Sequence, residues 1–176
     1  MRILGIDPGL GITGYGAIEV NPVRDKSLNG VNFSGIKLLE AGVIRTSAEE
    51  DLETRINKIY EGLKGLIEEL RPEVLVLEKL YSHYKHPATA ILMGHARGAI
   101  CLLAKQSGVG LTGYSVTRVK KAITGVGNAG KYQVQGMIQN LLNLNVVPNP
   151  PDITDALALA IAHAHISQKE GVSISG

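Results

Sequence analysis

Ile3-Leu4-Gly5-Ile6-Asp7-Pro8-Gly9 is a short apolar run that ends in a carboxylate and a Pro-Gly turn. It reads as a strand that carries Asp7 at its C-terminal end and stops there, because Pro8 fixes φ and removes a backbone donor. Val74-Leu75-Val76-Leu77 is a second continuous apolar run, as a buried central strand requires, and it also stops at an acid, Glu78. Asp152-Ile153-Thr154-Asp155 sets two more acids three residues apart, on one face at the start of an apolar helix.

Around the first strand, Thr13 to Val20 reads as a second one. The connection is too short for a parallel crossover, so the pair is expected to be an antiparallel hairpin. Asn21 to Gly30 is a polar loop without periodicity, and a third strand is expected from about Gly35 to Ile44. Ser47-Ala48-Glu49-Glu50 has the form of a capping box and predicts a helix start. Leu52, Ile56, Ile59, Leu63, Leu66 and Leu70 then form one helical face, which Pro72 ends. Pro87 suits the first turn of a long helix reaching about Gln106. Gly94 and Gly98 on that helix are four apart, small enough for close packing on a partner element such as a second subunit. Gly110–Tyr114 reads as a fifth strand, Ser115 as the cap of a short helix, and Lys131–Leu142 as another helix. Asp152 to about Ser167 is the last helix; its segment from Ala156 to Ala162 is apolar all round and expected to be buried. The order βββαβαβα, with extra helices, predicts an α/β fold. Its mixed five-stranded sheet has three antiparallel strands followed by parallel ones, flanked by helices.

The 176 residues are 44% hydrophobic and 19% charged, which suits a single domain over residues 1–176 whose last few residues form a tail. No stretch approaches the roughly 20 apolar residues of a membrane span. No apolar signal region precedes Ile3, and the single cysteine, Cys101, excludes an internal disulfide. A cytoplasmic location is expected. The formal net charge is only +2, so any nucleic-acid surface must be local, with the acids concentrated elsewhere.

Taken alone, Asp7 reads as an Asx-turn and Asp152 as an N-cap following two prolines. Glu78 is different, because it ends a strand that belongs in the sheet centre, where an unpaired charge is costly. Several acids on buried elements call for a cation; without one, mutual repulsion raises some of their pKa values. We therefore take Asp7, Glu78, Asp152 and Asp155 as one catalytic, metal-binding centre. All-oxygen ligands select Mg²⁺ or, as a substitute, Mn²⁺. Two divalent ions balance four carboxylates in formal charge. A pair about 3.5–4 Å apart activates water and stabilises a leaving oxygen in phosphodiester hydrolysis. In that arrangement Asp7 bridges the ions; a single occupied position also satisfies the sequence.

Gly5-Ile6-Asp7-Pro8-Gly9, Thr13-Gly14-Tyr15-Gly16, Glu78, Gly94-His95-Ala96-Arg97-Gly98, Lys120, Lys131 and Asp152-x-x-Asp155-Ala156-Leu157-Ala158 occur in that order. Together they resemble the RuvC family of Holliday-junction resolvases, over Met1 to about Ser167. The resemblance implies an RNase H-like fold, a homodimer, Mg²⁺ dependence and paired symmetric nicks in four-way DNA junctions during recombination and repair. It also implies a partner, the branch-migration helicase complex of RuvA and RuvB. The family's catalytic acids map onto the same four residues. Its stacking aromatic falls on Tyr81, where Phe is usual, and its DNA-contacting lysines fall on Lys120 and Lys131. Lys85 and Tyr84 share the loop of Tyr81 as weaker DNA-binding candidates, and His83 and His86 lie beside them. The segment Tyr81–Pro87 is one residue longer than the family pattern and has His86 where Asn is usual; the Asn21–Gly30 loop is long, and Gly94-His95 replaces Gly-Gln. Arg97 reads as structural.

Other readings compete. A nuclease of the same fold that processes ribosomal RNA precursors shares the Asp-x-Gly start. A junction-binding module without cleavage would not need all four acids. An ATP-binding, actin-like protein uses similar turns but needs two such halves. His163 and His165, two apart on a helix, point in different directions and are poor metal ligands. With one cysteine there is no zinc-type cluster.

Overall fold

The computed structural model describes residues 1–21, 35–79 and 87–170. Within them the chain runs β1 (Arg2–Asp7), β2 (Ile12–Val20), β3 (Ile36–Arg45), α1 (Leu52–Leu70), β4 (Val74–Glu78), α2 (Pro87–Gln106), β5 (Gly110–Tyr114), α3 (Val116–Thr124), α4 (Lys131–Leu141) and α5 (Pro151–Glu170). One sheet has the order β3-β2-β1-β4-β5. β1 pairs antiparallel with β2 and β2 with β3; β1 pairs parallel with β4 and β4 with β5. This is the mixed sheet expected from the sequence pattern.

The two faces of the sheet bury different residues. Leu4 and Ile6 of β1, with Leu75 and Leu77 of β4, pack with Ile59 and Leu63 of α1 and Ile100 and Leu103 of α2. Ile3 of β1, with Val74 and Val76 of β4, packs on the other side with α3, α4 and α5. Side chains alternate along a strand, so the residues in step with Ile3 and Val76 face the second side. Those residues include Asp7 and Glu78. The last helix, α5, covers that side, and every residue from Ala156 to Ile166 is buried.

α5 lies so close to the sheet because its footprint is glycine. A Cβ on Gly5 would strike the carbonyl oxygen of Ala156, and one on Gly16 would lie 2.6 Å from Leu157 Cδ2. Gly5 and Gly16 are paired across β1 and β2. The expected start of α1 needs correction. Ser47 N–H does donate to Glu50 Oε2 at 3.1 Å, but this closes a turn before the helix. The helix begins one residue after Asp51, whose side chain accepts from Thr54 N–H at 2.7 Å. Two capping signals overlap here, and the Asp lies directly before the apolar face.

Candidate active site

Asp7 ends β1, and its antiparallel neighbour on β2 is Gly14. Its parallel neighbour is β4, where Ile6 pairs with Leu77, so Glu78 stands beside Asp7 on the next strand. The first turn of α5 arrives over the same place. A Cβ on Gly14 would strike the carbonyl oxygen of Asp152 and lie 3.0 Å from Asp152 Cβ. Two strand ends and one helix start thus bring all four acids together from positions up to 148 residues apart.

The turn after Asp7 is tied down from several sides. Thr13, fully buried, donates its hydroxyl to Gly9 O at 2.7 Å. The Thr46 hydroxyl donates to Leu10 O, and Arg55 Nε donates to Thr46 Oγ1 at 3.0 Å. These bonds hold the carboxylate-bearing strand end to β3 and α1.

The electrostatics follow from the crowding. Burial pushes Asp7 up from 3.8 to about 7, and the charges of Asp155, Glu78 and Asp152 push in the same direction; Lys131 opposes them. Burial also raises Glu78, helped by Asp155 and opposed by Arg97. Lys131 Nζ lies 3.1 Å from Asp155 Oδ2. Lys120 and Lys131 line one cleft of about 210 Å³ together with Glu78 and Asp155. Both lysines singled out in the sequence therefore border the acids. Tyr81 and Lys85, with Tyr84, His83 and His86, lie outside the described residues, as does most of the Asn21–Gly30 loop.

Four carboxylates suit a hard divalent ion by their donor chemistry, and such an ion would relieve the repulsion that raises Asp7 and Glu78. As the side chains stand, no three acids or histidines among the described residues converge on a single point. The pairing of Asp155 with Lys131 accounts for part of this, since one carboxylate is engaged by an ammonium group. The histidines are used by the fold. His163 Nδ1 shares a 2.8 Å hydrogen bond with the Tyr114 hydroxyl, and His165 Nδ1 donates to Ala122 O at 2.7 Å. Burial lowers the pKa of His163, as expected for a neutral ring in an apolar setting.

Arg97 has more to do than its sequence reading suggested. It is half-buried, and its Nη1 donates to the main-chain carbonyl of Glu78. The signals in the sequence were its place in the Gly94–Gly98 motif and its position as the one arginine of a mostly apolar helix.

The family model described as crossover junction endodeoxyribonuclease RuvC matches residues 3–163. The chain is 42% identical over 165 residues to the crossover junction endodeoxyribonuclease RuvC of Rhodopirellula baltica, covering 94% of this chain and 86% of that protein. It is 40% identical to the protein of the same name from Desulforamulus reducens, over 97% of this chain and 98% of that one. Among solved structures, Thermus thermophilus RuvC in complex with Holliday junction substrate superposes with a TM-score of 0.86 at 30% identity, covering 97% of this chain and 96% of that one.

Proposed function

The chain belongs to the RuvC family of crossover junction endodeoxyribonucleases, and from that premise we propose that it resolves four-way DNA junctions by hydrolysing one phosphodiester bond in each of two opposed strands. The observation that carries this reading is the meeting of Asp7, Glu78, Asp152 and Asp155 beside Lys120 and Lys131. The family assignment favours this over the RNA-precursor, ATP-binding and non-cleaving readings.

In our reading the four carboxylates hold Mg²⁺, or Mn²⁺ in its place, as two ions per centre. The bound ions would supply an activated water and stabilise the oxygen that leaves. Asp7, which burial raises and whose carboxyl feels the charges of all three other acids, is the ligand the others surround. Lys120 and Lys131, which line the cleft with Glu78 and Asp155, receive DNA phosphates there, which positions DNA without reading its sequence. Tyr81 and Lys85 extend that surface by resemblance to the family.

A symmetric junction calls for two centres related by a twofold axis, hence a homodimer. Support comes from α2, where Ile91, Gly94, Gly98 and Leu102 follow one helical face and are exposed, Ile91 by 62% and Leu102 by 55%. A Cβ on either glycine would meet nothing within 4 Å. That face is apolar and open to a second copy. We further assign the protein to the bacterial cytoplasm, working on junctions handed over by RuvA and RuvB. No described helix is long and apolar enough to cross a membrane.

The test is a synthetic four-way junction incubated with Mg²⁺ or with chelator. Symmetric nicks are expected only with the metal. Asp7→Asn should bind the junction and leave it uncut; normal cutting by that variant would overturn the site assignment.

A further inference from the structure

Glu78 is held by its main chain, and among the described residues no ion pair engages its carboxylate. Arg97, 19 residues further along and in the middle of α2, donates from Nη1 to the Glu78 carbonyl oxygen. Its Nη2 lies 3.8 Å from where a Cβ would stand on Gly113, so the guanidinium spans the ends of β4 and β5. Next to it the strands are still paired, with Lys79 N–H donating to Tyr114 O at 2.8 Å. Among the described residues no carboxylate lies within ion-pair distance of Arg97. A planar donor fork with a permanent charge is thus spent on a peptide carbonyl at the end of β4, where the strand delivers its acid.

We propose that Arg97 is a positioning residue for the acid cluster: by fastening the Glu78 main chain to α2 it sets where the Glu78 carboxylate stands and leaves both its oxygens available to a divalent cation. The same charge opposes the rise that burial and Asp155 impose on Glu78. A simple helix-to-sheet clamp would bond the carbonyl equally well. The proposal differs in predicting that cation affinity depends on the guanidinium. It rests on the metal-centre reading above.

The experiment titrates Mn²⁺ into metal-free protein by calorimetry for wild type, Asp7→Asn, Arg97→Gln and Arg97→Lys, with thermal unfolding recorded for each. Residues that orient metal ligands typically change affinity by about 10–100-fold, and a loss of that size is expected for Arg97→Gln. Arg97→Lys, which keeps the charge and a donor, should recover part of the loss. Junction cleavage by Arg97→Gln should fall at low Mn²⁺ and recover at high Mn²⁺ with KM for the junction unchanged. Wild-type Mn²⁺ affinity in both Arg97 variants, whatever their unfolding temperatures, overturns the proposal and leaves the metal centre standing. Wild-type protein that takes up no Mn²⁺ sensitive to Asp7→Asn overturns the metal centre and this inference with it.

Discussion

Lys131 and Asp155 are ion-paired at 3.1 Å, and the pair stands in the cleft that Glu78 and Lys120 also line. An ammonium group therefore occupies a carboxylate that we assign to a metal. The pair is well exposed, at 55% and 40% of the two side chains, so its own contribution to stability is small, below about 1 kcal/mol. Lys131→Ala should shift the unfolding temperature by no more than about 4 °C. Its effect on junction affinity should be larger and should shrink as salt is raised, because a phosphate contact is lost. Equal binding by wild type and variant at every salt concentration would remove Lys131 from the DNA surface.

The raised Asp7 pKa makes metal-free stability depend on pH. Asp7 titrates at about 7 in the folded protein and near 3.8 when unfolded, so between these values the folded state holds the extra proton. Stability should fall as pH rises from about 4 to about 7 and level off above that, with a total cost on the order of 4 kcal/mol as an upper bound. Asp7→Asn removes the charge and should raise the unfolding temperature of chelated protein at pH 8 by several degrees, with little effect at pH 4. Mg²⁺ should stabilise wild type at pH 8 and Asp7→Asn much less. Thermal unfolding at both pH values, with and without Mg²⁺, measures all of this.

The glycine footprint of α5 predicts a graded set of substitutions. Gly14→Ala drives a methyl group into the Asp152 carbonyl, and the backbone on both sides must give way. A destabilisation of about 3 kcal/mol is expected, as for other overpacked sites, together with loss of cleavage because Asp152 is displaced from Asp7. Gly65→Ala, at an exposed position of α1 with nothing within 4 Å of the new Cβ, should instead stabilise by about 0.5–1 kcal/mol. Urea unfolding of the two variants separates the effects.

Leu102→Glu places a charge in the exposed apolar face of α2. The variant should sediment as a monomer at concentrations where wild type is a dimer, and unfold within about 0.5 kcal/mol of it, since the side chain is outside the core. Junction cleavage should then yield single nicks in place of paired ones. A Leu102→Glu dimer of wild-type affinity would move the dimer contact off this face.

Much of this fold could be read along the chain. Apolar runs that end in Asp7 and Glu78 are strands because a continuous hydrophobic stretch must be buried on both faces. The helix over Leu52–Leu70 follows from its apolar period and ends at Arg71, which takes φ 48° just before Pro72. The start of that helix is ambiguous along the chain, since Ser47–Glu50 and Asp51 are both good caps, and the packing of Leu52 and Ile56 against the core favours Asp51. The candidate acids were legible one by one. As a set they follow from the cost of placing several unpaired acids on buried elements, and the ordered motifs of a family map onto the same four.

The sequence by itself determined which residues end strands, which helix is apolar all round and where the acids fall, because these depend on side-chain period and on residues a few positions apart. Only the tertiary structure decided that Asp7 and Glu78 face the same side, that α5 reaches them over Gly5, Gly14 and Gly16, that Lys131 meets Asp155 and that Arg97 holds Glu78. Those relations join elements far apart in the chain. They are set by strand order and by how closely a helix can approach a sheet with no Cβ in the way, and neither quantity is written in local pattern.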